Sequence, residues 1–373
     1  MIGQDTRRAG RPRRAGGQDV VTKPHFLTLD AMRGVAAITV VLFHGARLAG
    51  VQTMPHGYLA VDMFFALSGF VISRAYDRRL AAEWTPLHFF RLRLVRFYPL
   101  YALGLAIGAT RELLLVATHN HFALPVPLLF GALAAGALFL PFPVGQRGDY
   151  LFAMNPPAWS LFYELLVNIG YALVFRWLTV RTLVAIALAG LAAIWVLGIH
   201  AGTLELGGTG AQWPGGAART IFAFSVGVLI NRLDIRTRAV PPWLLLALVV
   251  AIGASPAHWG VAFDLAIVTV VVPVMIAAGA SATVGARQRG LFAFLGAISF
   301  PIYAIHGPLL PIAEMAAQRL PGVPRPALLA ALVAALLVAA WLLELLYDAP
   351  LRRRLRHVAM PGVTPSARTT SSG

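Results

Sequence analysis

Apolar stretches recur along most of this chain, near 31–48, 58–75, 97–117, 128–141, 158–177, 182–200, 215–231, 240–256, 260–281, 290–313 and 326–348, with short polar loops between them. Most approach the ~20 residues a helix needs to cross a bilayer core. The stretch at 128–141 has only about 14, carries Gly131 and Gly136 and ends at Pro141 and Pro143. That suits a segment that enters the membrane and turns back. The pattern predicts an all-α, polytopic transmembrane helical bundle of about ten spans plus one short re-entrant segment.

The positions of lysine and arginine orient it. With the basic N-terminal tail inside, the second span returns to Arg74, Arg78, Arg79, Arg91, Arg93 and Arg96. If 128–141 does not cross, the later basic loops, through Arg352, Arg353, Arg354 and Arg356, also lie inside. Both termini are then cytoplasmic; the alternative, eleven spans with 128–141 crossing, would put all those later loops outside and reverse the charge bias. Residues 1–24, rich in Arg, Gly and Pro, read as a disordered basic tail, 25–356 as the membrane domain and 357–373 as a second disordered tail. A signal peptide over 1–50 is disfavoured, because its apolar run would carry Arg33 and His44.

Composition agrees with a membrane protein. Of 373 residues, 58% are hydrophobic and 12% charged, against about 25% charged in a soluble domain. The net charge of +16 sits at the ends of apolar spans, which points to a bilayer with anionic headgroups and not to nucleic acid. With no cysteine, disulfides, thiolate metal sites and a cysteine nucleophile are excluded. No P-loop, metal cluster or nucleophile elbow stands out, and no metal is expected.

The candidate chemistry lies in polar residues within the spans, where charge is costly. Arg33 and His44 are eleven residues apart, close to three helical turns, so they share a helix face about 16 Å apart in depth. Asp62, Glu164 and His306 sit in three further spans. On this orientation they fall with His44 in the outer half at similar depth, where convergence would let each satisfy another. On the inner side, Arg91, Arg93 and Arg96 lie among Phe89, Phe90, Phe97 and Tyr98. Guanidinium groups suit phosphates and aromatic faces suit a nucleobase, so an anionic, nucleotide-bearing donor fits there. A transporter or flippase of a lipid-linked saccharide is the rival reading, since it too places charges in many spans.

These residues resemble the acyltransferase-3 family of integral membrane O-acyltransferases acting on bacterial surface polysaccharides and related acceptors. Arg33 and His44 match its first-helix pattern. Val61-Asp62-Met63-Phe64-Phe65, running to Ser68-Gly69-Phe70, is similar to its second helix. Trp159-Ser160-Leu161 with Glu164 forms a third motif, and Leu295-Gly296, Ser299, Tyr303 and His306 a fourth. The four motifs occur in the family's order across about 30–310. One departure is Leu92, which stands where the family's basic loop usually has an arginine.

The resemblance implies transfer of acetyl or another short acyl group from acyl-CoA, chiefly acetyl-CoA, to a carbohydrate or glycolipid hydroxyl, in a bacterial inner membrane. It makes Arg33, Arg91, Arg93 and Arg96 the donor-binding residues and His44 the base. Either Asp62 or Glu164 would fix the imidazole tautomer. Trp159, Ser160, Tyr303 and His306 would serve the acceptor. Direct transfer and an acyl-His44 relay both remain open. All of the chemistry is expected in the membrane domain.

Overall fold

In the computed structural model of the protein, residues 26–359 are described, except 83, 146, 147 and 239. The tail 1–24 and most of 357–373 lie outside them. The helices are α1 (Leu27–His44), α2 (Ala46–Ala49), α3 (Ala60–Ala82), α4 (Pro86–Ala117), α5 (Val126–Ala137), α6 (Ala158–Val174), α7 (Val180–Ala201), α8 (Trp213–Arg232), α9 (Pro242–Gly253), α10 (Gly260–Ala266), α11 (Val272–Ser281), α12 (Arg289–Ala317), α13 (Arg325–Leu343) and α14 (Ala349–Ala359). Single π turns join α10 to α11 and α13 to α14. Helix starts follow local chemistry. Thr85 caps α4 by accepting from the His88 amide at 3.2 Å, with Pro86 at the first helical position, and Thr179 caps α7.

Among the described residues, nine helical segments are long and apolar enough to cross a membrane. The protein is a multi-pass membrane helical bundle. Its near face is the one where α1 begins, and its far face is the one where α1 ends at His44.

Two apolar helices are shorter. α5 starts beside the far end of α4 but stops half-way along it, where Tyr98 and Tyr101 donate to the carbonyls of Ala137 and Gly136 at 2.8 and 2.7 Å. The chain turns at Phe139, in the left-handed region, and climbs back until the Leu151 amide bonds to the carbonyl of Gly208 in the far-face loop after α7. This is the re-entrant segment expected at 128–141. Its irregular backbone is tolerated at that depth because protein groups satisfy it.

The second short helix, α9, differs from the full span read at 240–256: 12 residues rise only about 18 Å. Its flanking loops complete the passage. The Thr237 amide meets Ser281 Oγ at the near face, and the Gly253 carbonyl accepts from the His56 amide at the far face. α9 therefore links the same two levels as the α10–α11 segment behind it.

Two close helix contacts set the register of the core. At α1–α12, a Cβ on Gly34 would stand 2.2 Å from the Leu295 carbonyl oxygen, and one on Gly296 would stand 2.7 Å from Asp30 Cβ. At α3–α8, Gly69 and Gly227 lie equally tight against Phe224 and Ala66. Without lipid-phase hydrophobic drive, small residues that let backbones approach hold such pairs together.

Candidate active site

α1 and α12 run parallel, so their polar residues meet in register from the near face to the far one. Near the bottom, Arg33 donates through Nε to Ser299 Oγ at 2.9 Å and through a terminal nitrogen to Asp30 at 3.0 Å. Higher up, Tyr303 Oη lies 2.6 Å from Ser160 Oγ at the start of α6. At the top, His44 Nδ1 is 3.0 Å from His306 Nε2, with the ring planes 20° apart and the rings edge to edge, 5.2 Å between centroids. His306 is fully buried, whereas His44 ends α1 and is exposed. Pro308 cannot donate to the Ala304 carbonyl four residues back, and the Asn155 amide takes that place at 2.9 Å. α12 is thereby tied to the returning re-entrant segment one turn from His306.

The near half holds the arginines. Arg93 faces Glu164 at 3.6 Å and lies over the Phe97 ring, and its Nε has no hydrogen-bond partner. Arg96 faces Asp348 at 3.5 Å and lies over Phe300. Arg352, at the start of α14, bridges Asp348 and Glu344. Arg91 points away from Arg93 and Arg96 on α4 and is exposed. The Arg33 side chain keeps 32% exposure although α1 packs against α3, α9, α11, α12 and α13. Arg33, Arg93, Arg96 and Arg352 thus stand close to Asp30, Glu164, Asp348 and Glu344, charge against charge.

The expected layer of four converging residues forms only in part. His44 and His306 meet. Asp62 instead gives both carboxylate oxygens to Arg219 of α8, at 3.0 and 2.6 Å, and Glu164 lies lower, beside Arg93. Among the described side chains, the hydrogen-bond partner of His44 is His306 and not a carboxylate. Arg219 is 1% exposed and fully engaged: it also donates to the carbonyls of Leu206 and Tyr58, and it lies 5.7 Å from the Trp159 ring centre. The sequence held its signal, an arginine inside the apolar stretch 215–231, in a chain whose second span carries an aspartate in need of a counter-charge.

A second buried pair also escaped the sequence reading. His56, in the loop after α2, places Nδ1 2.7 Å from Asp264 and Nε2 3.1 Å from the Pro256 carbonyl. Tyr58 and the Leu204 amide donate to the other Asp264 oxygen. Both ring nitrogens of His56 face oxygen atoms, so the imidazole is held from two sides. The pair ties three far-face loops together. Asp264→Ala is expected to cost about 3–5 kcal/mol by stranding the groups of His56, Tyr58 and Leu204 bonded to it, at about 1–3 kcal/mol each. His56→Leu with Asp264→Leu should recover only the part due to His56, because the Tyr58 hydroxyl and the Leu204 amide still lack their acceptor. Thermal unfolding in detergent measures both, and a single variant as stable as the wild type would refute the pairing.

Among the described residues no group of three or more His, Asp or Glu side chains is placed to hold a metal ion. The site is a membrane-embedded polar column with paired arginines at one end and an imidazole pair at the other. The sequence profile of the acyltransferase-3 family, described as an acyltransferase domain, matches residues 26–344, and the chain belongs to that family. The protein is a membrane acyltransferase. It is similar to "Protein 2 in picA locus" of Rhizobium radiobacter, with 41% identity over 164 residues, which is 41% of this chain and 82% of that protein. No solved structure matches it.

Proposed function

We propose that the protein moves a short acyl group, acetyl being the first candidate, from acyl-CoA to a hydroxyl of a carbohydrate or glycolipid acceptor. One observation carries this reading: the parallel α1–α12 pair holds Arg33–Ser299 at one level and His44–His306 at another. Arg33 and His44 are separated by about 16 Å of helix rise. Phosphates on the arginines and a thioester at the imidazole fit a donor with a long, flexible pantetheine arm.

In this scheme Arg33, Arg93 and Arg96 bind the phosphates, with the carboxylates beside them giving way, and Arg91 adds charge at the rim. Guanidinium forks match phosphate better than they match a carboxylate held 3.5–3.6 Å away. The acceptor approaches from the far face. His44 takes its hydroxyl proton, the oxygen attacks the thioester carbon, and the thiolate leaves. Trp159, against Arg219 at the far mouth, flanks its approach, and the buried Ser160–Tyr303 pair lies one level below the imidazoles. The near face, which collects Arg78, Arg79, Arg176, Arg181, Arg236 and Arg287, is the cytoplasmic side. Both termini then lie in the cytoplasm of a bacterial cell with the bundle in its inner membrane.

The test is binding of labelled acetyl-CoA to purified protein in nanodiscs, with release of the CoA thiol followed. Arg33→Ala and Arg93→Ala are each expected to weaken binding about 10-fold or more, the 1.5–3 kcal/mol scale of a charge-assisted hydrogen bond. A folded wild type that binds neither acetyl-CoA nor succinyl-CoA would overturn the donor assignment.

A further inference from the structure

We propose that His306 is the positioning residue of His44, holding its imidazole in the tautomer that leaves Nε2 free, and that two main-chain carbonyls do for His306 what a carboxylate does in a catalytic triad. The proposal rests on reading His44 as the base.

The proton count follows from geometry. His306 Nδ1 lies 3.2 Å from the Ile302 carbonyl oxygen and 2.9 Å from that of Tyr303. Oxygen acceptors demand a donor, so Nδ1 carries a proton. His306 is fully buried, and no carboxylate is bonded to either imidazole among the described side chains. A neutral ring avoids the cost of an unpaired ion at this depth. Nε2 of His306 therefore has a lone pair, and at 3.0 Å it accepts from His44 Nδ1–H. His44 is left with its lone pair on Nε2, the ring nitrogen not bonded to His306.

That arrangement explains why no carboxylate is needed. When Nε2 of His44 takes the acceptor's hydroxyl proton, the C–O bond forms and the thioester C–S bond breaks. The thiolate then takes the same proton back from Nε2, so His306 ends unchanged. While His44 is charged, its Nδ1–H remains bonded to His306, whose own Nδ1–H leans on two carbonyl dipoles. The Asn155 bond to the Ala304 carbonyl fixes the turn that presents those carbonyls. Asp62 and Glu164 are committed to Arg219 and Arg93 instead.

The experiment uses full-length protein in nanodiscs, labelled with nitrogen-15 at histidine, with acetyl-CoA as donor and thiol release as readout. His44→Ala assigns the His44 nitrogens. The wild type is expected to show the proton of His44 on Nδ1. His306→Phe fills the space but cannot accept; it is expected to lose that tautomer and to drop kcat by about 100-fold or more with KM for acetyl-CoA unchanged. His306→Gln, whose amide oxygen accepts from Nδ1–H, is expected to keep kcat within about 10-fold of the wild type. A wild type with the His44 proton on Nε2, or a His306→Phe variant with normal kcat, overturns the assignment. The tautomer needs no turnover to be read. A wild type inert toward acetyl-CoA but holding the Nδ1–H form refutes the acyl-CoA reading while upholding the role of His306.

Discussion

His44→Ala is expected to abolish acyl transfer while leaving the protein folded, with kcat falling by about 10²–10⁴ or below detection. The asymmetry arises from where the side chain sits. His44 is exposed at the end of α1, so removing it opens no core cavity, and the partner it leaves, His306, keeps both of its carbonyl acceptors. Its loss deprives the acceptor hydroxyl of the base with a free nitrogen at the far face. His306 cannot substitute, because it is fully buried and its Nδ1 is already committed. Donor binding should persist, since the arginine cluster lies about 16 Å away in helix rise. Thiol release, acetyl-CoA binding and thermal unfolding on one preparation separate these effects. A stable His44→Ala variant that still turns over would refute the base assignment.

Asp62→Ala is expected to destabilise the protein by about 3–5 kcal/mol, because it leaves the buried Arg219 guanidinium without its counter-charge. Arg219→Ala should cost a similar amount by stranding Asp62. Replacing both with Leu should be milder than either single change, because the cost lies in the uncompensated charge. Asp62→Asn keeps an acceptor oxygen and should fall between. Activity is expected to fall along with stability, since Arg219 lies against Trp159 and holds the carbonyls of Leu206 and Tyr58 at the far mouth. Thermal unfolding of the four variants in one detergent tests the cycle. Additive losses in the double variant would show that the two residues do not act as a pair.

These two results bear on how the charges inside the membrane divide their work. Asp62 belongs to the motif that resembles the family's second helix, yet the structure spends it on architecture. Glu164 stands with Arg93 at the near end of the column, 3.6 Å from its guanidinium. The imidazole pair is left with main-chain oxygens as its only acceptors among the described residues.

Much of this was legible in the chain itself. Eleven apolar stretches, the short one with Gly131, Gly136 and Pro141 among them, determine a helical membrane bundle with one half-crossing piece, because transfer free energy and the thickness of a bilayer act on any such stretch locally. Arg33 and His44 could be placed on one helix face from spacing alone. Hydropathy conveys depth, however, and carries no information on which neighbour a helix faces. Partner choice follows from rotation and register, set by contacts such as Gly34 on Leu295 and Gly69 on Phe224, between residues far apart in the chain. That is why His44 with His306, Asp62 with Arg219, Glu164 with Arg93 and His56 with Asp264 were decided only by the tertiary structure. A buried polar group must find some partner, and packing alone determines which one is within reach.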